Sequence, residues 1–311
     1  MLRKLDITTS MAMLPFSIAV AVLLWITYTP VVPEKVAGLA LALLTTLTVR
    51  WVSNTLQLIR IRSWAVSSVF ILLIAATAPL HQWELVPMGL CMLYAVHLAG
   101  MLFSTYGSRP HVSVFISIIA LACMAMIQPL TLWLLPVCLI AMLLPLRVWS
   151  GRTASAILLG LLLPFQIWLC WQLMNGTLAE SADGIIAILT TPPSGWEQLS
   201  IPYSQFAIPN GFCLLFIVYC LIANIHFLRT SLDDKMSTRM HYISILLQWP
   251  VVLALFLLWQ PCSANLVAVM ALCSAPLMAR YFVFSRGWAG VLMFWLFVLY
   301  LLFVCICPSI F

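Results

Sequence analysis

The stretch VAGLALALLTTLTVRWVSNTLQLIRIR, residues 36–62, decides the fold class of this chain. Its first part, 36–58, is mostly apolar, and at about 1.5 Å per residue a helix of that length crosses ~30 Å of hydrocarbon. Arg60 and Arg62 follow directly, as basic residues follow a span that ends on the cytoplasmic side. The stretch therefore predicts a transmembrane helix whose C-terminal end lies inside the cell.

The rest of the chain repeats this pattern. Its mean hydropathy is +1.13, 64% of its 311 residues are hydrophobic, and only 7% are charged. Residues 1–311 therefore predict a single integral membrane domain, an all-α polytopic transmembrane bundle of about eleven helices. The predicted spans are 11–29, 36–58, 64–80, 85–105, 112–128, 130–146, 154–175, 210–228, 241–259, 265–281 and 288–307.

The basic residues predict the orientation. If the N-terminus lies inside and the spans alternate, twelve of the fourteen Lys and Arg residues fall at the cytoplasmic face. Lys35 alone falls outside, and Arg50 lies within a span. The positive-inside bias therefore predicts N-in and C-out. The twelve are Arg3, Lys4, Arg60, Arg62, Arg109, Arg147, Arg152, Arg229, Lys235, Arg239, Arg280 and Arg286.

The composition does not support several classes of function. No run of basic residues with interleaved aromatics indicates nucleic-acid binding, and the net charge of +6 fits a rim that meets anionic lipids. The sequence has no Gly-rich phosphate loop, G-x-S-x-G or H-E-x-x-H, and no Cys or His spacing typical of a zinc site. It identifies no metal and no cofactor. Membrane lipids are the partners that it does predict.

Polar residues within the spans are the first candidates for a site, because ionisable groups are costly in hydrocarbon. Arg50 either faces a cavity or extends its guanidinium to the inner surface. His97 is either a functional group or a helix-to-helix hydrogen bond, and Gln166 and Gln248 are expected to be interhelical donors. A polar stripe at helical spacing on the second span consists of Thr46, Arg50, Ser53, Asn54 and Gln57.

Two loops are distinctive. The outer loop, 176–209, contains acidic and aromatic residues without Lys or Arg, and it is either a lid on the membrane surface or an ordered connector. The inner loop, 229–240, contains Asp233 and Asp234 among cations. This arrangement favours a solvated, charge-balanced turn over a metal site.

Several motifs follow one another between residues 36 and 175 and beyond. They are Arg60-Ile-Arg62, Ala-Pro-Leu-His-Gln-Trp (78–83), the hairpin SVFISIIALACMAMIQPLTLWLLP (113–136), Arg147-Val-Trp-Ser-Gly-Arg, Leu-Leu-Gly-Leu-Leu-Leu-Pro-Phe (158–165) and Pro276 to Phe282. This rhythm resembles the core of the GT-C glycosyltransferase superfamily. More narrowly, the whole chain resembles a family of Bacteroidetes polytopic membrane proteins.

The resemblance implies a GT-C-like arrangement of helices in a bacterial inner membrane and a role in cell-envelope biogenesis. It further implies a lipid-linked substrate, such as a polyprenyl-phosphate-linked sugar, at the outer leaflet. Glycosyltransferases of this kind carry an essential acid in a long first outer loop. Here that loop is only 30–35, and Glu34 is its one acid. The sequence leaves open whether the chain catalyses transfer.

Three function classes remain open. The first is handling of a lipid-linked or lipidic substrate on a GT-C-like scaffold. The second is a non-catalytic subunit of an envelope or secretion complex with a membrane protein partner, which the few acids favour. The third is a small-solute transporter, which the absence of Asp or Glu from the spans disfavours.

If a site exists, we expect it between the first outer loop, the outer end of the third span and the long loop. Glu34 and Glu84 are the candidate catalytic carboxylates, which can bind a metal or act as a base. The candidate substrate-binding residues are His81, Glu180, Asp183 and Trp196 near the outer face, with Arg50 and His97 deeper.

Overall fold

We describe a computed structural model of the chain. The residues that the structure describes are 10, 12–28, 32–59, 64–106, 108–177, 182–184, 186–187, 208–258, 260–285 and 288–306. Every regular element in these ranges is helical.

Twelve α-helices occur in the described residues, which confirms the predicted all-α class. They are α1 (Met13–Tyr28), α2 (Pro33–Thr55), α3 (Ala65–Ala76), α4 (Ala78–His81), α5 (Leu85–Phe103), α6 (Pro110–Ile127), α7 (Leu134–Leu143), α8 (Gly151–Asn175), α9 (Ile208–Thr230), α10 (Met236–Leu258), α11 (Gln260–Phe284) and α12 (Trp288–Ile306).

Six of these helices are long and apolar enough to cross a membrane, which makes the chain a multi-pass membrane protein by length and composition. They are α2, α5, α6, α8, Met236–Leu257 of α10 and Asn265–Phe284 of α11. Five shorter apolar helical segments accompany them: Met13–Thr27, Ala65–Ala76, Pro129–Leu143, Phe216–Thr230 and Gly290–Tyr300.

The structure departs from the predicted spans where prolines interrupt the helices. The span expected over 64–80 breaks at Thr77, because Pro79 lacks the N–H that would continue the α3 ladder. Both the hydroxyl and the backbone N–H of Thr77 donate to the Leu73 carbonyl oxygen, each at 2.9 Å. The span expected over 130–146 begins as a 3-10 helix, Pro129–Trp133, before α7.

α11 and α3 form the centre of the bundle. Every residue of 266–283 is buried, and α11 packs against α10, α3, α5, α9 and α12. All twelve residues of α3 are also buried. The small side chains of Ala268, Ala271, Ser274 and Ala275 allow this close packing, as small residues do at helix interfaces in membranes.

α8 lies at the edge of the bundle. Its buried residues are Thr153, Ala156, Gly160 and Pro164, spaced by three or four so that they share one face. This face packs on α6, where a Cβ on Gly160 would lie 3.1 Å from the Cβ of Ile118. The remaining faces of α8 expose large apolar side chains, including Leu159, Ile167 and Trp171. Such a surface suits lipid.

Candidate functional site

A tight contact joins the start of α2 to the turn between α4 and α5, residues 81–84, which we call the 81–84 turn. A Cβ on Gly38 would lie 2.1 Å from the Trp83 carbonyl oxygen and 3.4 Å from that of Glu84. Gly38 is therefore required by the close approach of two backbones. The predicted orientation puts this contact at the outer face.

The contact brings the two candidate catalytic carboxylates to the same end of the bundle. Glu34 lies one helical turn before Gly38, about 6 Å away, and the carbonyl oxygen of Glu84 lies 3.4 Å from the Cβ position on Gly38. Both side chains are exposed, and neither forms an ion pair with a described residue. The short loop between α1 and α2 thus places its one acid beside the acid that precedes α5.

His81 lies in the same turn, but its described contacts stabilise the turn. Its Nε2 donates to the Ile74 carbonyl oxygen at 3.1 Å, and its Nδ1 accepts from the backbone N–H of Trp83 at 3.0 Å. The imidazole is 1% exposed. Burial lowers the pKa of His81 from 6.5 to about 4, so the ring stays neutral and uses both nitrogens within the protein.

The 81–84 turn also contains backbone strain. Gln82 and Trp83 have φ angles of 46° and 57°, in the left-handed region that residues with a Cβ rarely adopt. Trp83 is fully buried, and its ring meets that of His81 edge to face with centroids 5.4 Å apart. Packing of these two rings and the His81 hydrogen bonds hold this conformation, which directs Glu84 to the surface.

The long outer loop contributes little to the described structure. Glu180 and Trp196 lie outside the described residues, as does most of the predicted lid, 176–209. Asp183 is described and exposed. The predicted approach of this loop to the 81–84 turn stays a prediction.

The residues of the polar stripe predicted on α2 differ in burial. Thr46 and Ser53 are buried, and the Thr46 hydroxyl donates to the Ala42 carbonyl oxygen of its own helix. Asn54 is exposed, and Gln57 lies beyond the end of α2 with a φ of 49°. Gln57 does not share the predicted face because α2 ends at Thr55, whereas the other four residues lie within α2 at the predicted helical spacing.

Arg50, the charged member of that stripe, is half-buried. Its guanidinium carbon lies 3.9 Å from the centre of the Trp64 ring, directly before α3. A cation stacked on tryptophan is stabilised by the negative face of the ring. Among the described residues Arg50 makes no ion pair.

Arg50 and Trp64 border a large groove between α1 and α2, which we call the α1–α2 groove. Its volume is about 1010 Å³, and apart from Arg50 its wall is almost entirely apolar. The remaining wall residues are Leu14, Pro15, Ile18, Ala19, Val22, Leu23, Ile26, Thr27 and Leu47. The groove follows α1 for about 20 Å, which is more than half the thickness of a bilayer core.

A second apolar cavity, of about 480 Å³, lies on the other side of α1. Its wall combines residues of α1, such as Phe16 and Val20, with Leu72 of α3 and Phe294 of α12. α1 packs mainly on α3 and is bordered by open apolar space on both flanks.

His97 belongs to a buried hydrogen-bond network near mid-depth. Its Nδ1–H donates to the Ser117 carbonyl oxygen at 3.1 Å, and its Nε2 accepts from the Gln248 amide at 3.3 Å. Tyr94 donates to the Gln248 amide oxygen at 2.7 Å. The network links α5, α6 and α10 and gives each of these side chains a hydrogen-bond partner, as the interhelical interpretation of His97 and Gln248 predicts.

Gln166 is exposed, so its predicted interhelical role is wrong.

Sequence reasoning missed a buried ion pair at the predicted cytoplasmic end. Asp234 Oδ2 lies 2.5 Å from Arg280 Nη2, and the two side chains are only 6% and 3% exposed. Arg280 also donates to the Thr230 hydroxyl and stacks near the rings of Phe227 and Tyr242. The interpretation of the inner loop as a solvated turn is therefore wrong at Asp234, because α11 buries its cation against this loop.

One sequence signal could have revealed this pair. Arg280 follows a long apolar run and precedes Tyr281-Phe-Val-Phe284, so its guanidinium is surrounded by apolar sequence on both sides. A cation in such a position requires a counter-charge. The nearest acids on the same predicted side are Asp233 and Asp234.

No group of three or more His, Cys, Asp or Glu side chains able to hold a metal ion occurs within the described part of the chain. Comparisons of the chain with models of known protein families, with curated proteins and with solved structures find no match.

Proposed function

We propose that this chain is a bacterial inner-membrane protein, with eleven spans in a GT-C-like arrangement, that acts in cell-envelope biogenesis. In this proposal it handles a lipid-linked or lipidic substrate at the outer leaflet. The polar part of the substrate lies against Glu34 and Glu84, and its chain enters the bundle sideways.

The observation that carries the proposal is the approach of α2 to the 81–84 turn. Two exposed acids, Glu34 and Glu84, come from segments far apart in sequence, and the contact of Gly38 with Trp83 and Glu84 brings their backbones to one end of the bundle. A carboxylate at that position can accept a proton from a substrate hydroxyl. The contact at Gly38 fixes the spacing of the two backbones.

The α1–α2 groove supports the same proposal. Its wall reaches Ile26 and Thr27 at the end of α1, and four residues separate that helix from α2. Glu34 in the first turn of α2 is therefore near this end of the groove. An apolar volume of this size lies at the upper end of the range of about 300–1000 Å³ found for ligand sites.

The mid-depth network argues against a small-solute transporter. Tyr94, His97 and Gln248 are completely buried and hydrogen-bonded to one another or to backbone. A solute pathway at the midplane requires polar groups that face a cavity. These three side chains instead join helices.

A second candidate function is that of a non-catalytic subunit of an envelope or secretion complex. The apolar flank of α8 favours it, since only one stripe of that helix is buried in the bundle. Under this alternative a partner helix packs on α8, and substitutions at Glu34 and Glu84 have no effect on assembly.

A reconstitution experiment tests the leading proposal. The purified full chain in proteoliposomes is given a radiolabelled polyprenyl-phosphate sugar, and bound and released sugar are measured. We expect Glu34→Gln/Glu84→Gln to reduce binding or turnover at least about tenfold, as loss of a charge-assisted contact does. Lys235→Gln, at an exposed charge near the predicted cytoplasmic end, is the matched control. Equal binding and turnover in both variants and the native chain would contradict the proposal.

A further inference from the structure

The inner end of the α1–α2 groove has features that the proposed function does not use. Arg50 lies 17 positions after Pro33, about 25 Å along α2, and five positions before Thr55, about 7 Å from the end of the helix. The predicted orientation therefore puts its guanidinium at the cytoplasmic boundary. Trp64, directly before α3, lies at the same level, where tryptophans are typical.

The stacking of Arg50 on Trp64 leaves the guanidinium able to bind an anion. With its carbon 3.9 Å from the ring centre, the cation uses its face for the contact with tryptophan. The N–H donors of a guanidinium point outward from the edges of its plane and match a phosphate in pairs. Among the described residues no carboxylate occupies these donors.

The groove beside Arg50 suits an acyl chain. Leu14, Pro15 and Ile18 of α1 and Leu47 of α2 form its wall near the guanidinium. An anion without an apolar tail would leave this surface unfilled, whereas a chain that follows α1 toward the midplane buries it. Each CH₂ group removed from water contributes about 0.8 kcal/mol to such binding.

We infer that the inner end of the α1–α2 groove is a binding site for an anionic phospholipid of the cytoplasmic leaflet. The lipid phosphate accepts hydrogen bonds from Arg50, and one acyl chain lies along α1. A phosphatidylcholine headgroup fits less well, because its quaternary ammonium adds a second cation beside Arg50. The lipid class is therefore one with net negative charge, such as phosphatidylglycerol.

This site is separate from the outer-leaflet site. Glu34 and Arg50 lie 16 positions apart on α2, about 24 Å along the helix. A lipid anchored at Arg50 fills the inner half of the groove and leaves the half near Thr27 open. The inference therefore stands or falls independently of the chemistry at Glu34 and Glu84.

Native mass spectrometry of the delipidated full chain tests the inference. Phosphatidylglycerol or phosphatidylcholine is titrated in, and the dissociation constants for the first bound lipid are compared. We expect the native chain to bind phosphatidylglycerol about tenfold more tightly. Arg50→Gln should remove this preference, and Arg50→Lys should keep part of it, since the charge remains without the planar fork. Arg152→Gln, at an exposed arginine at the start of α8, is the matched control.

A second variant tests the groove without changing the stacked pair. Ile18→Trp adds bulk to the groove wall and should weaken phosphatidylglycerol binding about tenfold, whereas Ile167→Trp on the exposed face of α8 should not. Inorganic phosphate at millimolar concentration should not compete, because it has no chain for the groove. Three results would each overturn the inference. The first is an Arg50→Gln variant that still prefers phosphatidylglycerol to phosphatidylcholine as the native chain does. The others are an Ile18→Trp variant that binds phosphatidylglycerol as tightly as the native chain, and competition by inorganic phosphate.

Discussion

Gly38 and Trp83 pack backbone against backbone: the carbonyl oxygen of Trp83 lies 2.1 Å from the position that a Cβ atom on Gly38 would occupy. This contact fixes the start of α2 against the 81–84 turn. It thereby sets the relative position of Glu34, one helical turn earlier, and Glu84, one residue later. The carboxylate pair on which the proposed function rests depends on a glycine.

Gly38→Ala should destabilise the protein. The methyl group cannot be accommodated unless α2 or the 81–84 turn moves, and overpacking of this kind costs about 1–3 kcal/mol. Gly89→Ala on α5 is the matched control, since a Cβ there meets no atom within 4 Å. Thermal unfolding in detergent should show a lower Tm for Gly38→Ala alone. Equal Tm values for both variants would show that the contact is not made.

The Arg280–Asp234 pair should be worth more to stability than any exposed charge nearby. Asp234→Ala leaves a buried guanidinium without its counter-charge, which costs about 3–5 kcal/mol. Lys235→Ala removes an exposed charge at the next position and should change the free energy of unfolding by less than about 0.5 kcal/mol. The double variant Asp234→Leu/Arg280→Met should regain most of the loss. If Asp234→Ala and Lys235→Ala have the same free energy of unfolding, the Arg280–Asp234 pair is not buried.

The mid-depth network should contribute to stability through individual hydrogen bonds. Tyr94→Phe removes the donor to Gln248 and should lower the free energy of unfolding by about 1 kcal/mol. Tyr106→Phe is the control, because Tyr106 is exposed and its hydroxyl does not donate to Gln248 as that of Tyr94 does. This change should leave the free energy of unfolding nearly unaltered. Unfolding of both variants under the same detergent conditions checks the difference, and a neutral Tyr94→Phe would contradict the network.

His81 should make stability fall in acid. Burial lowers its pKa to about 4 in the folded chain, so above the unfolded value of 6.5 the residue has no effect on pH dependence. As pH falls from 6.5 toward 4 the unfolded chain binds a proton that the folded chain does not, and stability drops by about 2 kcal/mol by pH 5. His81→Gln should flatten this decline in Tm between pH 7.5 and 5. His111→Gln controls for removal of one histidine, and an unchanged decline in His81→Gln would contradict the account.

Hydropathy predicted the succession of helices well, because burial in lipid requires long apolar segments wherever a helix crosses. The break at Thr77 and the 3-10 start at Pro129 were outside that prediction, since they depend on which carbonyl groups lose their donors. The resemblance to GT-C proteins predicted that Glu34 would lie near the outer end of the third span, where Glu84 precedes α5. The contact at Gly38 is the tertiary feature behind that proximity.

The charge pattern of the inner loop did not predict the ion pair. Asp234 lies among cations in the sequence, which favours a solvated turn, but the packing of α11 against α9 and α10 buries its side chain against Arg280. Arg50 stands out in the sequence as a cation within a span, but its partner Trp64 lies directly before another helix, α3, and shares no sequence pattern with it. Contacts between residues of different helices can be identified only once the packing of those helices is known.

The most direct test of lipid handling at the outer leaflet is photo-crosslinking with a polyprenyl phosphate that has a diazirine in its chain. After irradiation in proteoliposomes, the labelled residues are located by mass spectrometry. We expect labels concentrated on Val22, Ile26 and Thr27 at the outer half of the α1–α2 groove, and few on the exposed face of α8 at Ile167 and Trp171. If labels on α8 are as frequent as labels in the groove, the lipid contacts the protein surface without a specific binding site. That result would contradict the central claim.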